Sequence, residues 1–509
     1  MVKRILALLL AAVLLLSAVG CGEKSAKEAS AKGSQVSRVI MDKENGTPYI
    51  EYQGKPYLFY GTQVRLDNIR ERWNSDAMVV DEVLRKAAED GFKTVGIPVK
   101  WYQLEVAKDQ WDFSLMDVYY TALEKYDLTI QWLWFGTNVC ADGACAAKYV
   151  FKDTETYKRQ YREDGSMSNC FDFSCEATKE REKNAVKKFM EYIAKRDKDK
   201  RCVMIQMDNE VSHGGPNFDL GKDVWYKTEE DYFKYGWVGG QQYEFAEHVN
   251  DLGDIVHASD YNCVVRVNLM QDAWQVGRDI VDVLLAGSGV DIVGIDAYEE
   301  NWIDIEKYMH ISSDNMFHFA EASSNYDHSW TVTKFMADGI GYFSYPYADF
   351  NPHHPGHYYE DFSGVKVKWV EKVQGNGKAG IVGVRAFNKM IAKCGDHLAQ
   401  AIADDCVAAF NYEHLESEIL EKRIFGEREV QFSCPTDGYG MAFWLTEKEF
   451  IVMASNDRSS FRFDGTRIKE ATSGQFDGNK WVKDKDQDLT IKGNRVTLDA
   501  YQVVKVVIE

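Results

Sequence analysis

From residue 50 to 350 short apolar runs alternate with amphipathic stretches, the pattern of repeated strand–helix units. Eight runs read as strands: 58–61, 94–99, 129–134, 203–207, 264–268, 291–295, 316–320 and 341–345. Between them the apolar spacing becomes helical. Val80, Val83, Leu84, Ala87 and Ala88 make one stripe, and Gly91 follows where a left-handed cap is expected. Val186, Phe189, Met190, Ile193 and Ala194 make another ahead of the fourth strand. The stretch 279–285 leads into the sixth strand, and 381–402 carries a helical pattern after the eighth. Eight strands with helices between them close most simply into an α/β fold, a (β/α)8 TIM barrel. An open doubly wound sheet is the competing architecture, but no glycine-rich phosphate loop follows the first strand.

Two regions leave this rhythm. Residues 138–177 hold four cysteines and scattered charged and aromatic residues without period, as expected of an elaborated loop over the barrel mouth. Beyond about residue 425, the runs 441–445, 450–455, 460–463 and 503–508 are short and β-like, separated by Asp-, Gly- and Lys-containing turns. They predict a small C-terminal antiparallel β-sandwich that packs on the barrel or binds carbohydrate. The expected division is a barrel over 41–420 and a sandwich over 421–509.

At the start of the chain Lys3 and Arg4 precede an apolar run, 5–16, followed by Ser17-Ala18-Val19-Gly20-Cys21. This is the layout of a secretory signal, with an apolar run too short to span a bilayer comfortably. Ala18-Val19-Gly20-Cys21 resembles a bacterial lipobox, in which Cys21 becomes the lipidated first residue. Residues 1–21 then read as signal peptide and 22–40 as a flexible tether, placing the protein outside the cytoplasmic membrane on a lipid anchor. Of the other nine cysteines, Cys202 and Cys263 lie on apolar strands as buried small side chains. Cys140/Cys145 and Cys170/Cys175 lie in loop-like sequence and are candidate bridges in an oxidising compartment. Their spacing does not match common structural zinc sites.

Charge narrows the partners. Eighty acidic against 60 basic side chains give a net charge of −20, which argues against nucleic acid and anionic lipid surfaces. Of the 13 Trp, 28 Tyr and 26 Phe some must be core, but the rest suit a site that stacks the rings of an oligo- or polysaccharide, a composition that welcomes such a partner without proving it.

Candidate chemistry sits at strand ends. The fourth strand runs Val203-Met204-Ile205-Gln206-Met207 and stops in Asp208-Asn209-Glu210. In a β/α barrel, polar residues there enter the active-site mouth above layers of apolar side chains. The seventh, Met316-Phe317-His318-Phe319-Ala320, ends in Glu321 and faces the fourth across the mouth. Glycosidic cleavage with retention needs two carboxyl groups about 5–5.5 Å apart, one proton donor and one nucleophile. Glu210 suits the acid/base and Glu321 the nucleophile. Asn209 is placed to bind a sugar 2-hydroxyl, Tyr298 to orient Glu321, and Arg65 to act on a carboxylate or on hydroxyls. Trp101, Trp134 and Trp302 follow strands two, three and six as candidate stacking platforms. His213 and His318 have no paired ligand spacing, so neither metal nor cofactor is expected.

The pattern resembles clan A glycoside hydrolases. Gly91-Phe92-Lys93-Thr94-Val95, then Trp101, Glu105 and Trp111-Asp112-Phe113-Ser114, is similar to the second barrel unit of families 35 and 42. Lys148-Tyr149-Val150, the Asp164-Gly165-Ser166 turn, the strand ending in Asn209-Glu210 and the strand ending in Asp296-Ala297-Tyr298 extend the likeness over about residues 48–415. The resemblance implies a retaining, metal-independent, β-galactosidase-like exo-glycosidase with Glu210 as acid/base and Glu321 as nucleophile. The chain departs at Asp208, where family 35 usually has Glu. It also lacks Arg-Pro-Gly-Pro in its third strand, Gln131-Trp132-Leu133-Trp134-Phe135-Gly136. An endo-β-glycanase of the same clan and a non-catalytic glycan-binding lipoprotein are the alternatives.

Overall fold

A computed structural model describes residues 34–41, 47–67, 77–140, 142–161, 166–211, 240–270, 278–297, 315–323, 336–337, 339, 341–348, 361–363, 366–368, 381–412, 421–435, 438–455 and 457–509. All eight expected strands are present: β1 (Tyr60–Val64), β2 (Thr94–Lys100), β3 (Thr129–Val139), β4 (Cys202–Asn209), β5 (Val264–Met270), β6 (Ile292–Ala297), β7 (His318–Ser323) and β8 (Gly341–Ala348). Each pairs in parallel with the next, and β8 returns to β1, closing the barrel.

The helices that jacket the barrel include α1 (Ala77–Glu89), α2 (Ser114–Lys125), α3 (Glu176–Arg196), α4 (Gly240–His257), α5 (Arg278–Ala286), α6 (Ile381–Ala392) and α7 (Asp396–Ala403). The buried face of α1 is Val79, Val80, Val83, Leu84 and Ala87, close to the stripe in the sequence. Gly91 has φ +87°, the left-handed conformation a helix stop requires, and a Cβ there would lie 2.8 Å from Asn388 Cβ. The pattern over 381–402 is two helices instead of one. Gly395, at φ +54°, interrupts it.

A three-stranded sheet (Ser37–Ile40, Tyr49–Tyr52, Lys55–Tyr57) lies under the foot of the barrel. Ile50 joins Phe59, Met204, Val264, Ile292, Met316 and Phe343 in an apolar layer at that end. The Tyr57 hydroxyl bonds the Thr94 and Thr129 hydroxyls at 2.6 Å each, fastening the sheet to β2 and β3. Ser34–Gln35 also pairs with Tyr261–Asn262, so residues 34–35 and 37–40 are strands, not tether. Residues 1–33, with Cys21, lie outside the described residues.

Above the apolar foot the barrel interior turns polar, contrary to the expectation of apolar layers alone. Arg266 is fully buried there, donating to Gln206 Oε1 and, at 2.8 Å, to His318 Nδ1. Gln131 presents its amide oxygen to the same guanidinium at 2.6 Å. A buried arginine needs such a cradle, because an unpaired charge in this setting is strongly disfavoured.

The described residues of the segment 138–177 are folded rather than loose. They include a short turn of helix (Gly143–Cys145), a helix (Lys148–Lys152) and a hairpin (Arg159–Tyr161 with Met167–Phe171). Arg159 lies between the Phe151 and Phe171 rings and caps the carbonyls of Phe151 and Asn169 at 2.6 Å. Cys140, Cys145, Cys170 and Cys175 are all free thiols, so neither candidate bridge forms; Cys202 and Cys263 are buried as expected.

The C-terminal module is a sandwich of six- and five-stranded antiparallel sheets around Phe410, Phe432, Phe450, Phe461 and Phe463. Its six-stranded sheet takes Val407–Tyr412 as an edge strand, so the sandwich begins before residue 421. Met441, Phe443, Ile451, Met453 and Val503 pack into the barrel's own core, and Phe476 stacks on His397 of α7.

Candidate active site

Two irregular strand ends build the mouth. On β4, strict alternation would point Asp208 inward after Met204 and Gln206. The backbone prevents this: Asp208 and Glu210 have φ +52° and +55°, and the pairing with β3 slips between Met207 and Asn209. Residues other than glycine are held in this conformation only where the surroundings enforce it, at about 1–3 kcal/mol each. Asp208 turns to the back of the strand, and Asn209 takes the inward position. On β7 the registers with β6 and β8 both shift near Glu321, which becomes the β-partner of Asp296.

Asn268, at the top of β5, ties the inward groups together. Its carbonyl oxygen accepts from the Glu210 backbone N–H at 2.9 Å. Its amide donates to Asn209 Oδ1 at 3.0 Å and to Asp296 Oδ2 at 2.7 Å. Gln206 Nε2 also donates to Asn209 Oδ1, at 3.0 Å. With its oxygen doubly occupied, Asn209 turns its NH2 away, towards Cys140 Sγ at 3.7 Å. Gln63 of β1 donates to Glu321 Oε1 at 3.1 Å. The Cys140 thiol, just after β3, donates to Glu210 Oε2.

Glu210 and Glu321, each 6% exposed, therefore meet around common neighbours. Both act electrostatically on Asp296 and on Cys140. Burial pushes the Asp296 carboxyl well above its usual range; Glu321 and Glu210 add to this, and Arg266 opposes it. Burial likewise pushes the Cys140 thiol up, with the Glu210 charge second. It drives His318 well below its ordinary value, helped by Arg266, so the ring stays neutral and accepts from the guanidinium. Among the described residues, the Arg266 cation thus faces Asp296 and Glu321, and Glu210 adds a third carboxyl beside Asp296. Like charges about 4 Å apart near a protein surface repel by roughly 4 kcal/mol, so the three do not all ionise together.

The remaining expected residues are placed differently. Trp101 is fully buried and donates to Glu105 Oε2 at 2.8 Å; Trp134 is fully buried and donates to Glu182 Oε1 at 2.9 Å. Neither is a stacking platform, because both rings are fully buried and present no free face. Arg65 sets its guanidinium on Asp67 with two bonds of 3.0 Å and donates to the Tyr345 hydroxyl at 2.9 Å. Tyr298, Trp302 and His213 lie outside the described residues. No group of three or more potential metal ligands occurs among the described residues. Sequence reasoning missed Gln63, Cys140, Arg266, Asn268 and Asp296. The signal for two of them was present: in Val264-Val265-Arg266-Val267-Asn268, polar residues two apart on an apolar strand share one face.

The closed strand order and the acids at the ends of β4 and β7 define a (β/α)8 barrel protein with a carboxyl-lined mouth. No protein-family model and no curated protein matches the sequence. The chain is similar to a solved GH30 endoxylanase from Clostridium papyrosolvens C71, with 10% identity over 93% of this chain and 99% of that one and a TM-score of 0.47. It is similar to a β-galactosidase from Bacillus circulans sp. alkalophilus, with 13% identity over 69% and 58% of the two chains and a TM-score of 0.47. A β-galactosidase from Halorubrum lacusprofundi gives 10% identity over 88% and 98%, again with a TM-score of 0.47.

Proposed function

We propose that this chain is a retaining glycoside hydrolase in which Glu321 attacks the anomeric carbon and Glu210 protonates the departing oxygen. The observation that carries this reading is the convergence of Glu210 and Glu321 on the same two neighbours, the buried Asp296 and the Cys140 thiol that donates to Glu210. In the first step the Glu321 carboxylate forms an ester-like bond to the sugar as the glycosidic C–O bond breaks, and the Glu210 proton passes to the leaving oxygen. In the second, Glu210 takes a proton from water, whose oxygen displaces Glu321. Gln63 holds Glu321 in place, and the Arg266 charge favours its ionised form. Asn209, with its oxygen already occupied, offers its NH2 to the sugar 2-hydroxyl.

The narrower reading is an exo-acting β-galactosidase-like enzyme on oligo- or polysaccharides. The folded 138–177 segment supports it by crowding one side of the mouth, where Cys145 comes close enough to Lys100, Asp67 and Arg65 to feel their charges. Its location is the outer face of a bacterial membrane, anchored through a lipid on Cys21. Hydrolysis of aryl β-glycosides by wild type and its loss in Glu321→Ala test the chemistry. Turnover of polymers alone would favour endo action, and glycan binding without turnover would favour a binder. Cys21→Ser should release the protein from the membrane fraction, and retention there would refute the anchor.

A further inference from the structure

Asp296 closes β6 between the two proposed catalytic acids and is 1% exposed. Its Oδ2 accepts from Asn268. Its Oδ1 is buried and receives no donor among the described residues. The same Asn268 side chain binds the Glu210 backbone N–H and Asp296 Oδ2, which brings the Glu210 carboxyl up to that of Asp296 as a hydrogen-bond neighbour. Two ionised carboxylates have only acceptors, so such a contact needs a proton on one of them. We propose that Asp296 and Glu210 share one proton, and that Asp296 is the positioning residue that keeps Glu210 loaded for leaving-group protonation. This inference rests on the glycosidase reading above.

The groups facing the pair fit this assignment. Glu321 on β7 and Arg266 on β5 contribute one charge of each sign, Cys140 after β3 is a neutral thiol, and Asn268 is a neutral amide. Before reaction the pair carries one negative charge and Glu321 another. When Glu210 gives up its proton the pair carries two, and Glu321, now bonded to the sugar, carries none. The total around Arg266 is unchanged in the glycosyl-enzyme, so the shared proton is released at little electrostatic cost. Water then returns a proton to the pair as Glu321 leaves, restoring the starting charges.

Asp296→Asn tests the sharing. Its amide donates to Glu210 and removes the need for a common proton. The basic limb of kcat/KM should move to lower pH by about 1 unit or more, as expected when a neighbouring like charge is removed. At neutral pH, kcat should fall roughly 10–100-fold for poor leaving groups, yet change only about threefold for a dinitrophenyl leaving group that needs no acid. A purely structural role would lower both rates alike and leave the limb in place; that result overturns the proposal. If Asp296→Asn does not fold, Asp296→Ser removes the same carboxyl. Wild type alone also decides: a basic limb in the ordinary Glu range near pH 4.3 would overturn the sharing without any variant. Absence of hydrolysis in wild type, or full activity in Glu321→Ala, would instead defeat the glycosidase reading itself.

Discussion

The two sides of β4 carry acids of the same kind in opposite settings. On the mouth side, Glu210 meets a thiol, an asparagine network and two further carboxyls. On the back, Asp208 accepts from Gly136 N–H at 2.7 Å and lies beside Glu182 of α3. Glu182 in turn accepts from Trp134 Nε1, from Thr137 and from His248 Nε2 at 3.0 Å. A Cβ on Gly136 would lie 1.7 Å from a Glu182 oxygen, so only glycine lets β3 approach this pair. Backbone donors and buried side chains fill the rear site, which leaves no room for a substrate. The mouth side instead gathers the Asn209 amide with Glu210 and Glu321, each 6% exposed. Residue type alone does not separate the proposed catalytic acid from the structural one; the left-handed turns at 208 and 210 do.

Substitutions on the two sides should therefore separate activity from stability. The largest effect is expected from Glu321→Ala, which should lower kcat by about 10⁴-fold or more with little change in Tm, because it removes the covalent step. An equally large fall in Tm would show that the mouth acids are structural too. Next comes Glu182→Ala, which strands buried donors from Trp134, Thr137 and His248. It should cost roughly 2–4 kcal/mol in denaturant unfolding, with activity recovered below the melting transition. Full activity loss at low temperature would place Glu182 in the chemistry.

Asp208→Asn gives a smaller effect with a defined sign. Burial, then the Glu182 charge, raises the Asp208 carboxyl well above its ordinary range. A raised folded-state value means the protonated form stabilises the fold. That contribution is complete below the unfolded value near pH 3.9 and is lost as pH rises towards the folded one. Wild type should therefore lose stability across that window, and Asp208→Asn should flatten the profile in urea titrations at several pH values. An unchanged slope would mean that Asp208 is not the titrating group. Cys140→Ala, which removes one donor to Glu210, should change kcat by only about 3–10-fold. Because its thiol is pushed up, iodoacetamide should modify Cys140 slowly at neutral pH.

The sequence made the barrel legible because its strands are apolar runs of the right length, and Glu210 and Glu321 because each ends such a run. Facing direction was harder to read. Trp101 follows strand two as expected, but Trp134 lies inside β3, which runs on to Val139, and their rings turn to Glu105 after β2 and to Glu182 of α3. A one-residue irregularity decides direction, and no letter in Asp208-Asn209-Glu210 announces φ +52° and +55°. Asp296 and Gln63 are single polar residues whose significance appears only once the barrel closes and brings β6 and β1 round the same Glu321. The break at Gly395 was obscured because α6 and α7 continue the same apolar periodicity across it.

Incubation with an activated 2-deoxy-2-fluoro glycoside, followed by peptide mass mapping, probes the catalytic assignment most directly. The fluorine slows release of the sugar, so a retaining enzyme accumulates the covalent adduct. The label is expected on the peptide containing Glu321, and it should be absent from Glu321→Ala. A sugar attached at another carboxyl, or active wild type that hydrolyses with inversion and never takes up the label, would contradict the account.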